Sequence, residues 1–379
     1  MDVTSSGFNK DRVLLAGTST WVGKIKVRAL YEDVKIEDLK LTQANADVED
    51  SVESVCLYKA EAATTDNLIA CTTLDDNDKA FFDDMNYVIE EGGMKYLYIY
   101  VNSRAMSNAA DGTADSHDKI AFNIDSTAGH LTAEGVDSQE PLAYGNKNGT
   151  TEAGEIVFDE NNNGTYDEAG EDETAVTKAF EVAGSRISAV DLVSSYGTTS
   201  LASAITGTGV YNVAILKVTN EANSNTTATG ESLKLIIDNL VLNVTKHDNA
   251  MTLNSTNPPT IERIGGTQGA KDMTYAHGIE DAGDGAGEFT IDADALMGTD
   301  AYIEAGDTAY FVIKADIDTL DSATGVVDWI KVDLNQLDGA ADTNNIDWFD
   351  GYNGTSNTNY DFLRLDYTSV DGIKINENL

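Results

Sequence analysis

Apolar residues in this chain recur at every second position, and that period admits few folds. The run 24–30 (KIKVRAL) alternates in this way, as do 34–41 (VKIEDLKL) and 95–101 (KYLYIYV). The alternation returns at 232–244 (SLKLIIDNLVLNV), 309–317 (AYFVIKADI) and 328–334 (DWIKVDL). A strand sends successive side chains to opposite faces, so a period of two buries one face and wets the other. Val, Ile, Thr and Tyr dominate the runs, and these residues pack well on a pleated surface. A short helix over 192–204 is conceivable, but its Gly and Thr content opposes it. The expected fold class is all-β, with many short strands joined by polar turns.

The chain also repeats itself. RVLLAGTSTWVGKIKV (12–27) precedes VKIEDLKLT (34–42), and SLASAITGTGVYNVAILKV (200–218) precedes LKLIIDNLVLNVT (233–245). A sharper match pairs YVIEEGGMKYLYIYV (87–101) with YIEAGDTAYFVIKA (302–315), each an acidic glycine turn followed by a long alternating strand. A further strand pair follows in both halves: 119–138 in the first, 328–337 with 344–351 in the second. The same order of parts predicts two antiparallel β-sandwich domains of one type in tandem. The expected boundaries are 1–145 for the first domain and 176–379 for a larger second one. Residues 146–175 read as an acidic linker, and 246–300, rich in Gly, Asp and Asn, as an inserted region.

That linker holds the strongest binding motif. In DENNNGTYDEAGED (159–172), Asp159, Asn161 and Asn163 occupy positions 1, 3 and 5 of a calcium-type loop. Gly164 falls at 6, where the backbone must turn sharply. Thr165 at 7 offers its carbonyl, and Asp167 stands at 9. Position 12 is Gly170, and the acid expected there arrives one residue late, as Glu171. A hard cation takes six to eight oxygens, and this segment supplies most of them. The expected cofactor is Ca²⁺, stiffening an interdomain link; the other reading is a solvated acidic linker.

The charge balance bears on partners. With 65 acids against 24 bases the formal net charge is -41. Such a field repels nucleic acid phosphates and anionic membranes and attracts divalent cations. Adaptation to high salt is a competing reason for the acidity. Hydrophobic residues make up 41% of the chain, enough for true cores. No stretch is long and apolar enough for a membrane-spanning helix. The start carries no signal-peptide core, as in a mature secreted form or a chain lacking its leader. The two cysteines, Cys56 and Cys71, lie in strand-like runs on either side of a polar turn at 64–67. Folding that hairpin sets them nearly opposite each other, so a disulfide and an oxidising compartment are expected, against two buried free thiols.

Catalytic signatures are missing. His117, His130, His247 and His277 are isolated, none at zinc-ligand spacing. No nucleophile elbow, phosphate loop or dinucleotide fingerprint occurs. GDGAGE (283–288) lacks a lysine and a strand-to-helix context, although with Asp281 and Asp284 it could hold a cation. Asp75, Asp76, Asp78, Asp83 and Asp84 form one acidic cluster and Asp316, Asp318 and Asp321 another; solvated turns are the simpler reading of both. In KYLYIYV, Tyr96, Tyr98 and Tyr100 share one face of a strand. That row could stack sugars, pack on another subunit, or lie under a neighbouring part of the chain. Six Asn-x-Ser/Thr sequons, at Asn148, Asn163, Asn225, Asn243, Asn254 and Asn353, are close to chance for so Asn- and Thr-rich a chain.

The string of EDVKIEDLKLT, SVCLY, LIACTTL and YVIEEGGMKYLYIYV resembles the immunoglobulin-like repeats of large secreted surface proteins of bacteria and archaea, and so does the ending NIDWFDG with YTSVDGIKI. The resemblance implies immunoglobulin-like sandwiches and a surface-layer, adhesin or filament-subunit role at the cell surface, without catalysis. Prolines between strands are mostly missing, and no wall-anchor motif follows Leu379, so covalent attachment to a wall is not expected. The leading expectation is a calcium-stabilised extracellular subunit that polymerises head-to-tail with copies of itself. A terminal strand, 8–16 or 359–375, would be donated to the next copy. The alternative is an adhesin or carbohydrate-binding module that uses the tyrosines and Trp348, near Asp347 and Asp350, on cell-surface glycans.

Overall fold

The structure is a computed structural model. It describes residues 1–5, 11–45, 48–106, 114–125, 129–146, 148–159, 163–166, 169, 173–175, 177–222, 233–247, 251–254, 256–257, 259–265, 279–281, 286–292, 302–320, 327–335, 337, 346–350 and 368–378. The chain divides into two compact units, the first running Met1–Ala183 and the second beginning at Gly184.

The first unit contains β1 (Asp2–Ser5), β2 (Arg12–Leu15), β3 (Ser19–Arg28), β4 (Val34–Gln43), β5 (Val52–Tyr58), β6 (Leu68–Thr72), β7 (Lys79–Phe82), β8 (Tyr87–Ile89), β9 (Met94–Ser103), β10 (Lys119–Ile120), β11 (Phe122–Asp125), β12 (Leu131–Gly135), β13 (Ala143–Tyr144), β14 (Glu155–Asp159), β15 (Glu173–Ala175) and β16 (Phe180–Ala183). The second contains β17 (Ser185–Leu192), β18 (Ser195–Tyr196), β19 (Thr199–Ser200), β20 (Gly209–Ala222), β21 (Leu235–Lys246), β22 (Thr252–Leu253), β23 (Thr260–Gly265), β24 (Ile279–Asp281), β25 (Ala286–Asp292), β26 (Thr308–Thr319), β27 (Trp329–Asp333), β28 (Ile346–Asp350) and β29 (Ile375–Asn376). A single 3₁₀ turn, Thr65–Asn67, is the only helical element among the described residues, and no helix there is long and apolar enough to cross a membrane. The fold is all-β.

Alternation becomes burial as the period requires. In β3, Ile25 and Val27 are buried while Lys24, Lys26 and Arg28 are half-buried. In β9, Leu97, Ile99 and Val101 are buried while Tyr96, Tyr98 and Tyr100 stay half-buried. These strands belong to a seven-stranded sheet ordered β13-β14-β1-β3-β9-β5-β6. A second sheet is organised by β4, which pairs with β12 and β11 and with β8 and β7. It buries Ile36, Leu39, Leu41, Phe82, Ile89, Phe122 and Leu131, each 3% exposed or less. Removing one such side chain from water contributes about 1.5–3 kcal/mol, so the core outweighs any surface ion pair of about 1 kcal/mol or less. Most ladders are antiparallel, but β1 with β14, β13 with β14, and β2 with β16 run parallel.

The second unit repeats this frame. Its β20 and β26 pair as β3 and β9 do, and β21 takes the place of β4. The irregularities coincide as well. A bulge in β3 between Trp21 and Gly23 faces Tyr100 and Ile99, and one in β20 between Asn212 and Ala214 faces Lys314 and Ile313. The bulged residues Val22 and Val213 are both buried. A second bulge skips Glu37 in β4 and Asp238 in β21. The turns before β9 and β26 match too: Gly93 N–H donates to the Glu90 carbonyl, and Asp307 N–H to that of Glu304. Gly92 at φ +66° and Gly306 at φ +72° supply the left-handed step that this turn needs. Finally, β2 runs parallel to β16, and Ile205 forms a parallel bridge with Glu377.

Two expected boundaries differ from this frame. Within 146–175, expected as a linker, β14 pairs with β1 and β15 with β11, so these two strands are ladder members of the first unit, and the boundary falls after Ala183. Within 246–300, expected as an insertion, β23 pairs with β26 as β5 does with β9, and β25 with β21 as β7 does with β4, so these strands belong to the shared frame. Both segments are polar between their strands, and their strands are short, which disguises them. Residues 192–204 hold the β18–β19 hairpin, not a helix.

Two local constraints make measurable contributions. Cys56 and Cys71 are cross-strand partners in the β5–β6 hairpin and are disulfide-bonded, with Cα atoms 4.1 Å apart. The bridge closes a loop with a sequence separation of 15. Replacing both cysteines by serine is expected to lower the unfolding free energy by about 3 kcal/mol in chemical denaturation. Asp118, before β10, accepts a hydrogen bond from the Ser51 hydroxyl. Burial raises its carboxyl from 3.8 to about 6; Asp115, Asp50 and Glu49 push the same way and the Ser51 bond opposes them. The folded protein therefore holds this proton more tightly than the unfolded chain, and that stabilisation, complete below the ordinary carboxylate range, is lost as pH rises through about 6. Asp118→Asn is expected to raise the calorimetric Tm at neutral pH and to match the wild type in acid. A Tm difference independent of pH would contradict this.

Candidate functional site

The acidic loop begins where β14 ends. Asp159 is the last residue of that strand and is 1% exposed. Its carboxylate winds the following residues around itself: the Asn163 N–H donates to Oδ1 and the Gly164 N–H to Oδ2, both at 3.0 Å. Gly164 adopts φ +87°, in the left-handed region that favours glycine. Asn163 Oδ1 in turn accepts the Thr165 N–H at 2.7 Å. The loop then returns to the N-terminal strand: Thr4 Oγ1 donates to the Tyr166 hydroxyl at 3.3 Å, and the Tyr166 ring lies 5.7 Å from the Arg28 guanidinium. Arg28 Nε also donates to the buried Asp2 carboxylate at 2.8 Å. The loop is thus part of the first unit, seated beside β1 through the β1–β14 ladder, and is not part of a link between domains.

Its described half fits a hard cation. Asp159 stands at position 1 with acceptor capacity beyond the two N–H groups, Asn163 brings a side-chain oxygen at 5, and Gly164 turns the chain at 6. Thr165 follows at 7. The remaining expected ligands, Asn161, Asp167 and Glu171, lie outside the described residues. Among the described residues no group of three His, Cys, Asp or Glu is placed to hold a metal.

In the other acidic clusters one carboxylate closes its own turn and another ties down a distant segment. Asp75 Oδ1 accepts the Asn77 and Lys79 N–H groups at 2.9 and 3.0 Å. Asp316 Oδ2 accepts from the Asn254 and Asn257 side chains at 2.9 and 3.0 Å. Asp321 and Asp284 lie outside the described residues. Of the histidines, His117 meets Glu181 at 2.7 Å and His247 meets Asp328 at 3.3 Å, while His130 is buried and His277 lies outside the described residues. Trp348 is 1% exposed, so it cannot line a glycan groove as expected. It belongs to the core because β28 lies against β21.

The tyrosine row has a different setting. Across β3, β9 and β5, on the face away from the core, ring centroids are 5.9 Å apart for Trp21 and Tyr98, 6.2 Å for Tyr96 and Tyr98, and 5.1 Å for Tyr58 and Tyr100. Lys24 Nζ sits 4.8 Å from the Tyr96 ring, 5.6 Å from Tyr98 and 6.0 Å from Trp21. The Tyr100 hydroxyl donates to the Glu61 carbonyl, and burial raises its phenol above the usual range. The sequence showed the tyrosines but not Trp21, Lys24 or Tyr58, because only cross-strand register brings those three to the row.

No protein-family model matches the chain, and no curated protein matches it. Solved structures similar to parts of it include the sixth cohesin of scaffoldin B from Acetivibrio cellulolyticus, in complex with a dockerin, at 13% identity, covering 52% of this chain and 99% of that one, with a TM-score of 0.20. The RrgB pilus protein of Streptococcus pneumoniae matches at 10% identity over 88% of this chain, with a TM-score of 0.21; the chain spans 46% of that protein. The E. coli CFA/I adhesin CfaE matches at 9% identity over 100% of this chain and 97% of that one, with a TM-score of 0.19. TM-scores of this size assign neither family nor role.

Proposed function

We propose that the chain is a structural extracellular protein, a subunit of a surface filament or surface layer that polymerises with copies of itself. The duplication of one sandwich frame carries this reading. Two units share ladders, bulges and turns. Tandem repetition of a scaffold suits a chain that extends a surface or a fibre. The disulfide in β5–β6 favours an oxidising compartment, hence a secreted chain. No enzyme activity is proposed.

Calcium is proposed as the stabilising ion, held by Asp159, Asn163 and Thr165 with Asn161, Asp167 and Glu171. A cation there would fix the end of β14 and, through the β1–β14 ladder, the N-terminal strand. It would also offset part of the formal charge of -41. Chelation is expected to lower the Tm of the wild type and leave Asp159→Ala with Asp167→Ala unaffected. Calorimetric calcium titration should show one site fewer in that variant; equal stoichiometry would remove the site.

Head-to-tail contact is proposed to use the N-terminal strands. In the single chain β2 lies parallel to β16, with Val13, Leu14 and Leu15 buried. The β2 of one copy could occupy the same place on the next. Negative-stain electron microscopy is expected to show polymers of the full chain after calcium is added and none when residues 1–15 are deleted. A monodisperse full chain, indifferent to calcium and chelator, would overturn the filament reading.

A further inference from the structure

The tripeptide Asn-Gly-Thr occurs at 148–150, 163–165 and 353–355. The last copy lies outside the described residues. The first two fold into the same local turn. Asn148 Oδ1 accepts the Thr150 N–H at 2.9 Å, and Asn163 Oδ1 accepts the Thr165 N–H at 2.7 Å. Gly149 has φ +81° and Gly164 φ +87°. Asn, Gly and Thr are exposed in both copies. Sequence, backbone and solvent access match, so a difference in reactivity between the two comes from what surrounds each turn.

One contact separates them. The Gly164 N–H donates to Asp159 Oδ2 at 3.0 Å, and the same carboxylate takes the Asn163 N–H on Oδ1 at 3.0 Å. Asp159 is 1% exposed and ends β14, so the β1–β14 ladder holds it in place. The Gly149 N–H has no acceptor among the described residues. Asn148 Nδ2 donates to Glu152 Oε1 at 3.2 Å. Next to Glu152, the Thr151 carbonyl accepts the Tyr31 hydroxyl at 2.8 Å, and Thr151 Oγ1 donates to Asp2 Oδ1 at 3.4 Å.

An Asn-Gly pair can lose ammonia without an enzyme. The glycine nitrogen gives its proton to water or hydroxide and attacks the asparagine Cγ. The new C–N bond closes a five-membered succinimide, the Cγ–Nδ2 bond breaks, and ammonia leaves. Water then adds to one of the two ring carbonyls and reopens the ring. The product is aspartate or, with the backbone rerouted through the side chain, isoaspartate. Glycine allows the attack because no Cβ obstructs its nitrogen and its backbone turns freely. We propose that Asn148 is a site of this spontaneous deamidation and that the Asp159 carboxylate shields Asn163 from it. A carboxylate that accepts the glycine N–H keeps the proton in place, and its charge opposes the amide anion that must form. Conversion at Asn148 replaces the donor facing Glu152 by a second carboxylate, and like charges there loosen the loop that Thr151 ties to Tyr31 and β1. Asn163 keeps its neutral amide. The shield needs no bound ion and is separate from the calcium reading.

Peptide mass spectrometry of the full chain, incubated with chelator at mildly alkaline pH, tests this in the folded state and in urea. Enzymatic methylation counts the isoaspartate. In urea the two sites should convert at similar rates, since their tripeptides are identical. In the folded protein Asn148 should convert and Asn163 should lag by at least about tenfold, because a charge-assisted hydrogen bond must break first. Asp159→Ala should bring Asn163 to the rate of Asn148. Where circular dichroism shows that variant unfolded, Asp159→Asn, which keeps the shape and removes the charge, should shorten the lag. An Asn148 that stays intact in the folded chain would overturn the proposal. So would equal rates at the two sites in the folded chain, a lag that persists in urea, or a folded Asp159 variant with the lag unchanged.

Discussion

Each unit is organised around one long antiparallel ladder, β3 with β9 and β20 with β26. The ladder buries alternate Ile, Leu, Val and Phe side chains against a second sheet built on β4 or β21. Its single bulge sets the geometry. An extra residue on one strand steepens the local twist and lets the strand turn toward a different partner. Val22 and Val213 occupy that extra place and point their bulk inward. With both bulges at matching positions, the remaining strands have little freedom. β5 and β23 add on one side, and β1 and β17 on the other.

The surface charge acts through these short connections. Some acids serve as acceptors for their own backbone, as where Asp75 closes the turn before β7. Asx-type turns of this kind use the carboxylate as an acceptor that needs no cation. Composition therefore overstates the number of carboxylates open to ions. Asp118 shows the opposite case, a carboxyl crowded by Asp115, Asp50 and Glu49 and partly shut from water. The field is uneven, with proton-retaining spots and, on the β3–β9 face, a small basic one.

The sequence carried the periodic part of this fold. Period two in 24–30 and 95–101 named the strands that pack, and the match between 87–101 and 302–315 named the turn and ladder that the two units share. Short strands carried too little pattern. β14 and β15 have five and three residues inside an acidic stretch, and so read as linker. β23 and β25 sit among Gly and Asp and read as insertion. The turn that Asp159, Asn163 and Gly164 make was local and therefore legible. The partners of the tyrosine row were not, because Trp21 and Tyr58 reach it only through register across three strands.

The parallel pairing of each unit's early segment with its last strand has a mechanical meaning. In the first unit β2 follows the entry of the chain and β16 is its exit, and the two run in the same direction. Tension applied at the chain ends then pulls these strands past one another along their length. The hydrogen bonds from Phe180–Arg12 to Ala183–Leu15 are loaded together and must break together. An antiparallel terminal pair would instead be peeled open one bond at a time. The second unit repeats the arrangement on a smaller scale, with the Ile205 N–H donating to the Asn376 carbonyl and the Asn378 N–H to that of Ile205. A chain built this way resists stretching at a force set by shear, a property that equilibrium stability does not report.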